Sequence, residues 1–293
     1  MQALQEYIDK AAALIEALPY IQSFRDKVVV VKYGGSTMSA QGQADTVLKD
    51  IVFMESVGMK PVMVHGGGPA ISRRLEELGM GSQRVNGLRV TDRDTMKVVE
   101  EVLVGEVNAG IAAAIHELGG RTVGVSAKES GVMHVRKHLA HTEEGTVDLG
   151  YVGEVERIDP SPLLDLVGRG MIPVVAPIGR GAEGESYNVN ADTAAGEIAA
   201  ALQAEKLVFL TDVKGILKDP ADEATLLSSV HVKEVEDLAR AGIVGGGMIP
   251  KVNACVKSVR AGVRKTHIVD GRIPHSMLLE FFTDEGIGTQ IVQ

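Results

Sequence analysis

The chain has 293 residues, 45% of them hydrophobic and 24% charged, with a formal net charge of −9. That length suits one large α/β domain or two lobes around a sizeable core. The acid surplus excludes non-specific nucleic-acid binding, which needs Lys and Arg in excess, and 3% aromatics without Trp leave little to stack bases on. The single cysteine, Cys255, excludes an intrachain disulfide and fits a reducing cytoplasm. No apolar run is long enough to span a bilayer, so no membrane partner is expected.

The chain opens on "MQALQEYIDKAAALIEALPY", where Leu4, Ile8, Ala11, Ala12 and Ile15 recur at helical spacing. Charges at Glu6, Asp9, Lys10 and Glu16 interrupt the continuous apolar core of a secretory leader, so none is expected here, and Pro19 is expected to end or kink this helix. Such a helix packs on its own domain or docks on another subunit. Strands are predicted at 27–33, 60–65, 121–126, 171–178, 206–211 and 265–270. Most are continuously apolar, the pattern of a parallel sheet covered on both faces. Helices are predicted at about 40–57, 69–79, 92–118, 190–204, 233–241 and 248–261. The alternation predicts an α/β fold, a three-layer αβα sandwich around a central, mainly parallel sheet. Residues 131–158 break the rhythm and read as a hairpin excursion on that sheet. The Gly-rich "GRGAEGES" marks a lobe boundary near 180–190.

Three glycine turns recur, "KYGGS", "HGGGP" and "GGGMIPK". The dinucleotide fingerprint fails because Ile71 stands where its third glycine belongs. A phosphate loop fails for want of any Gly-Lys pair. "HGGG" suits an oxyanion hole, but the only approach to a nucleophile elbow, "GGSTM", ends in Met38. What remains is a site shared among turns at the C-terminal ends of strands, where open α/β sheets hold ligands. Lys32 ends a strand, Lys251 enters a helix, and "YNVNAD" sets Asn188, Asn190 and Asp192 where another helix begins. Two ammonium groups, bare backbone N–H groups and a carboxylate suit a transferring phosphoryl group, whose catalysis is mostly positioning and charge stabilisation. Asn188 and Asp192 also suit simple helix caps, and Arg89 an exposed turn residue. His134, His138 and His141 imitate a metal-binding helix face, but their surroundings read as strand, and no protein-held metal is expected.

Together, "VKYGGS", "HGGGP", "NGLRVTD", "YNVNADTAAGEIA", "LTDVKGIL" and "GGMIPKV" resemble the amino acid kinase family, in order and over nearly the whole chain. The likeness is nearest to members that act on N-acetyl-L-glutamate. It implies transfer of the γ-phosphoryl of ATP to a carboxylate, giving an acyl phosphate with Mg²⁺ carried by the nucleotide. By that resemblance Lys32, Lys251 and Asp192 are catalytic, the lysines stabilising the transition state and Asp192 orienting both. Gly67, Gly68, Arg89 and Asn188 would bind the amino-acid substrate. Gly34, Gly35, Thr211, Asp212 and Gly215 would bind the nucleotide. Residues 25–185 would form the substrate lobe and 186–293 the ATP lobe.

The N-terminal helix, residues 1–24, and "HIVDGRIPHSMLLEFFTDEGIGT" resemble the arginine-inhibited branch of the family. That implies a cytoplasmic homohexamer, a trimer of dimers, with arginine bound near His267, Glu280, Gly286 and Tyr20. Two alternatives stay open: a non-catalytic sensing module, and a kinase for a close analogue such as an aminoadipate derivative.

Overall fold

The computed structural model describes residues 2–34, 43–143, 145–283 and 286–293. Helix α1 (Gln2–Phe24) leads into β1 (Val28–Tyr33), α2 (Gln43–Ser56), β2 (Lys60–His65) and α3 (Gly68–Glu77). Two short strands, β3 (Arg84–Val85) and β4 (Leu88–Arg89), precede a long helical stretch. That stretch comprises α4 (Arg93–Glu100), a π-helical segment (Glu101–Asn108) and α5 (Ala109–Glu117). Then come β5 (Thr122–Ser126), β6 (Met133–Thr142), β7 (Gly145–Ile158), α6 (Ser161–Gly168) and β8 (Ile172–Ala176). β9 (Ile178–Arg180), β10 (Ser186–Asn188), α7 (Ala191–Ala201) and β11 (Lys206–Thr211) follow. The chain finishes with β12 (Ser229–His231), α8 (Val235–Arg240), α9 (Met248–Arg260), β13 (Lys265–Asp270), α10 (Ser276–Phe281) and β14 (Thr289–Val292).

The main sheet has eight strands in the order β12-β14-β13-β11-β1-β2-β8-β5. From β13 to β5 all neighbours are parallel. β14 runs antiparallel to β13, and β12 follows β14. Side chains alternate across a strand, so an unbroken apolar run feeds both faces. Val30 of β1 joins a cluster with Leu163, Ile198 and Val252, from α6, α7 and α9. Val29, Val31 and Tyr33 join the opposite cluster with Ile51, Ile115 and Phe281, from α2, α5 and α10. These are the three expected layers. One sheet passes through both expected lobes, joined by the β1–β11 pairing.

Two expectations need correction. The hairpin at 131–158 forms as β6 and β7, but it does not extend the main sheet. With β9 and β10 it closes a separate four-stranded barrel. Glycine permits that closure: a Cβ on Gly179 would overlap the Val135 side chain, and one on Gly153 would lie 2.9 Å from Tyr187 Cβ. His134, His138 and His141 accordingly lie along a strand. Second, of the two outcomes expected at Pro19, an end or a kink, the end is excluded: α1 continues to Phe24. Phe24 meets Phe281 edge-on at 5.2 Å and Tyr20 meets Phe282 at 6.5 Å, which holds the last turn in place. The helical donor missing at Pro19 would have served the carbonyl of Ile15, a residue 69% exposed, where water can substitute. Among the described residues no helix is long and apolar enough to cross a membrane.

Candidate active site

Three residues far apart in sequence meet at the C-terminal edge of the sheet. Lys32 sits near the end of β1, paired with Phe209 of β11 on one side and Val64 of β2 on the other. Its Nζ lies 3.0 Å from Asp192 Oδ1, and Lys251 Nζ lies 2.8 Å from Asp192 Oδ2. Asp192 stands in the first turn of α7, and Lys251 in the first turn of α9. The two helices cross closely because Gly196 has no side chain. A Cβ there would lie 2.9 Å from Ser258 Oγ, which instead donates to the Gly196 carbonyl at 3.3 Å. Burial pushes the Asp192 carboxyl upward, but the Lys32 and Lys251 charges outweigh it and hold its pKa below the usual 3.8. The cap of α7 is Asn190, whose Oδ1 accepts from the Asp192 and Thr193 N–H groups at 2.9 and 3.0 Å. Asp192 is thereby free of capping and available to the two lysines.

Beside this triad lies a cleft of about 220 Å³, lined by Lys32, Gly66–Gly68, Arg89 and Asn188 among others. Gly34, just past the end of β1, packs against Gly66 of the "HGGG" turn. A Cβ on Gly34 would lie 3.1 Å from both Gly66 N and Lys32 Nζ, a tight approach that would press on the backbone of the neighbouring turn. Gly35 lies outside the described residues. Gly67 caps α3 and Gly68 begins it, with Pro69 next, so the Gly68 N–H has no acceptor within the helix. Arg89 is buried, not the exposed turn residue its surroundings allowed. It donates to Ser82 Oγ, to Ser72 Oγ at 2.7 Å and to the Gly68 carbonyl at 3.2 Å, and among the described residues no carboxylate is a partner. Burial, then the charge of Arg84, lower its pKa, so a carboxylate in the cleft would relieve both effects. Asn188 ends β10 and donates to Thr91 Oγ1 at 3.4 Å.

Three of the expected nucleotide residues, Thr211, Asp212 and Gly215, lie at or just past the C-terminal end of β11. Thr211 ends β11 and its hydroxyl donates to the Val213 carbonyl at 2.8 Å, while Asp212 is exposed. Gly215 has φ +149°, and a Cβ there would overlap Thr289 Oγ1. That hydroxyl accepts from the Ile216 N–H at 2.8 Å, so Gly215 has a structural reason to be glycine apart from any ligand.

Tyr20, His267, Glu280 and Gly286 line a second cleft of about 350 Å³, between α1 and the β13 side of the sheet. His267 Nδ1 lies 2.5 Å from Glu280 Oε1, and Glu280 Oε2 accepts from the Ile287 and Gly288 N–H groups at 2.8 and 3.1 Å. Gly286 has φ +65°, and a Cβ there would press on that carboxylate at 2.9 Å. Lys206, absent from the sequence reading, sits with Nζ 4.9 Å and 4.4 Å from the ring centroids of Phe24 and Phe281. Burial pushes its ammonium down to about 8. Also unread were His65, Ser72, Ser82 and Asn108. His65 ended a quoted strand, and Ser72 stands one helical turn after Gly68. Ser82 and Asn108 carry no local signal.

Residues 27–270 match the model of the amino acid kinase family. An acetylglutamate kinase of Moorella thermoacetica is 54% identical over 97% of this chain and 98% of its own. One of Heliobacterium modesticaldum is 51% identical over 98% and 99%. Among solved structures, an N-acetylglutamate synthase of Neisseria gonorrhoeae superposes with a TM-score of 0.82 at 27% identity. That likeness covers 97% of this chain but 63% of the synthase. Carbamate kinase of Giardia lamblia shares the fold, with a TM-score of 0.64 at 16% identity over 91% of this chain and 98% of its own. Fold, paired lysines about a buried aspartate and near-full-length relatives agree: the chain belongs to the amino acid kinase family.

Proposed function

We propose that this chain phosphorylates the side-chain carboxylate of N-acetyl-L-glutamate with ATP, giving N-acetyl-L-glutamyl 5-phosphate. The observation that carries the reading is the Lys32–Asp192–Lys251 triad beside the glycine turns; relatives named acetylglutamate kinase support the substrate. A carboxylate oxygen attacks the γ-phosphorus, and the β–γ bridging oxygen departs with the bonding electron pair as ADP. The nucleophile is already an anion, so no general base is required. Lys32 stabilises the β- and γ-phosphate oxygens and Lys251 the leaving side, each as a compact charge. Gly67 and Gly68 N–H groups face the acceptor, Arg89 clamps its α-carboxylate and Asn188 orients it. Gly34, Gly35, Thr211, Asp212 and Gly215 hold the nucleotide. Residues 25–185 serve as the acceptor lobe and 186–293 as the nucleotide lobe.

Mg²⁺ fits as a passenger of the nucleotide, because both Asp192 oxygens are taken by ammonium groups. The test is hydroxylamine trapping with ATP, Mg²⁺ and N-acetylglutamate. Acyl hydroxamate forming with ADP supports the kinase, and neither forming favours a sensing module. Comparing kcat/KM with glutamate and aminoadipate derivatives separates the acceptors.

Arginine inhibition of a cytoplasmic homohexamer completes the proposal. It is supported by the cleft at Tyr20, His267, Glu280 and Gly286, and by apolar residues of α1 left exposed, including Tyr7, Leu14 and Ile15. Deleting residues 1–24 is expected to abolish both the larger oligomer and the arginine response, read by light scattering and inhibition curves. A truncated enzyme that stays hexameric and inhibited overturns this part.

A further inference from the structure

The π-helical segment Glu101–Asn108 stands against the "HGGG" turn at two points. A Cβ on Gly67 would overlap Leu103 Cδ2, so the segment's apolar side forms the floor under that glycine. At the segment's end, Asn108 Nδ2 meets His65 Nε2 at 3.0 Å and donates to the Val174 carbonyl at 2.7 Å. His65 Nδ1 meets the Gly66 carbonyl oxygen at 2.8 Å. A carbonyl only accepts, so Nδ1 carries the hydrogen and Nε2 is the acceptor for the amide. Turning the Asn108 amide over would set its oxygen against the Val174 carbonyl and the Nε2 lone pair, so its orientation is fixed too. Burial pushes His65 down to about 4, which keeps the imidazole neutral and this pattern intact.

Gly66 O and the Gly67 N–H belong to one planar trans peptide and point in opposite directions. A hydrogen bond that pins the Gly66 oxygen therefore aims the Gly67 N–H. Glycines on both sides would otherwise let that peptide plane rotate readily. We propose that Asn108, acting through His65, is a positioning residue that aims the Gly67 N–H at the reacting oxygens. A π turn in a long helix is a recurrent functional device, and here it delivers Asn108 to a position that also requires Gly124 opposite, where a Cβ would overlap Asn108 Oδ1. The inference rests on the phosphoryl-transfer reading above and adds residues to it.

Arg89 and Asn188 carry most of the ground-state binding of the acceptor, while the Gly67 N–H, which also faces it, gains most as charge moves onto the transferring oxygens. Asn108→Ala is therefore expected to lower kcat about tenfold to a hundredfold, with KM for N-acetylglutamate changed by less than about threefold. A merely structural role would lower thermal stability and leave kcat of the folded enzyme alone. A second pair guards against misfolding. In His65→Asn the amide nitrogen can replace Nδ1 and keep the bond to Gly66, whereas His65→Ala cannot. The asparagine variant is expected to turn over about ten times faster than the alanine variant. A kcat for Asn108→Ala within twofold of wild type, or equal rates for the two His65 variants, overturns the inference. Wild-type enzyme giving no acyl hydroxamate overturns instead the function on which it rests.

Discussion

Asp192 and Glu280 are both buried carboxylates, each 6% exposed, at opposite sides of the same sheet, yet they are held by different means. Asp192 has two ammonium groups on long, flexible stems. Glu280 has an imidazole and two backbone N–H groups. Burial pushes both carboxyls upward, and in both the donors win and the pKa falls. The difference lies in what can be rearranged. Ammonium groups can swing from a carboxylate to a phosphate at small cost, whereas backbone donors move only with the chain. The first arrangement is suited to turnover, and the second to holding a cleft in one shape.

The largest expected effect falls on the mobile side. Lys32→Arg replaces a point charge with a planar fork at a crowded position, and kcat should fall about a hundredfold or more in the hydroxamate assay. Near-normal turnover would remove Lys32 from its role. On the rigid side, Glu280→Ala leaves two N–H groups and an imidazole without their acceptor. The cost should be about 2–4 kcal/mol, a Tm drop of roughly 4–10 °C. Basal kcat should change less than threefold, while the proposed arginine inhibition is lost. A fall in basal kcat as deep as that of Lys32→Arg would mean the two carboxylates serve one unit.

Acid should separate them more gently. Burial lowers the pKa of His267 from 6.5, with the Glu280 bond only partly offsetting it, and lowers that of His65 to about 4. For each, the unfolded chain binds more protons, so stability is complete above pH 6.5 and declines as pH falls toward the folded value. Each imidazole then contributes at most about 1.4 kcal/mol of loss at pH 5.5. Asp192 behaves oppositely in range: with a pKa below 3.8, its contribution survives to about that pH and is lost beneath it. The Tm of wild type should therefore drift down between pH 7 and 5. His267→Asn should remove part of that slope, leaving the part due to His65. An unchanged slope would mean His267 is not buried neutral.

Much of the frame was legible because strands such as "KVVVVKY" and "KLVFLT" carry a continuous apolar signal that local sequence can express. β3 and β4, two residues each, and the three-residue β9, β10 and β12 carry no period at all. The four-stranded barrel was hidden for that reason: half its strands are too short to read. The helix over 92–118 was visible, but not its π-helical middle, because that register depends on what Leu103 and Asn108 pack against. In the site, Lys32, Asp192 and Lys251 were legible as a set only through the company of their motifs, since 160 and 59 residues separate neighbours in the triad. Asn190 was quoted beside Asp192, yet which of them caps α7 depends on backbone geometry. The His65–Asn108 bond joins two residues that look ordinary alone.

The strand order has a consequence for synthesis. β1 sits in the middle of the sheet, and its second edge is covered only by β11. As the chain leaves the ribosome, Val28–Tyr33 pairs with β2 almost at once, but residues 206–211 emerge well over a hundred residues later. At about 5–20 residues per second this leaves an apolar strand edge bare for roughly ten seconds or more. That interval is when a neighbouring nascent chain can add itself to the ladder. The strand that carries Lys32 is thus also the one on which early misassembly would begin.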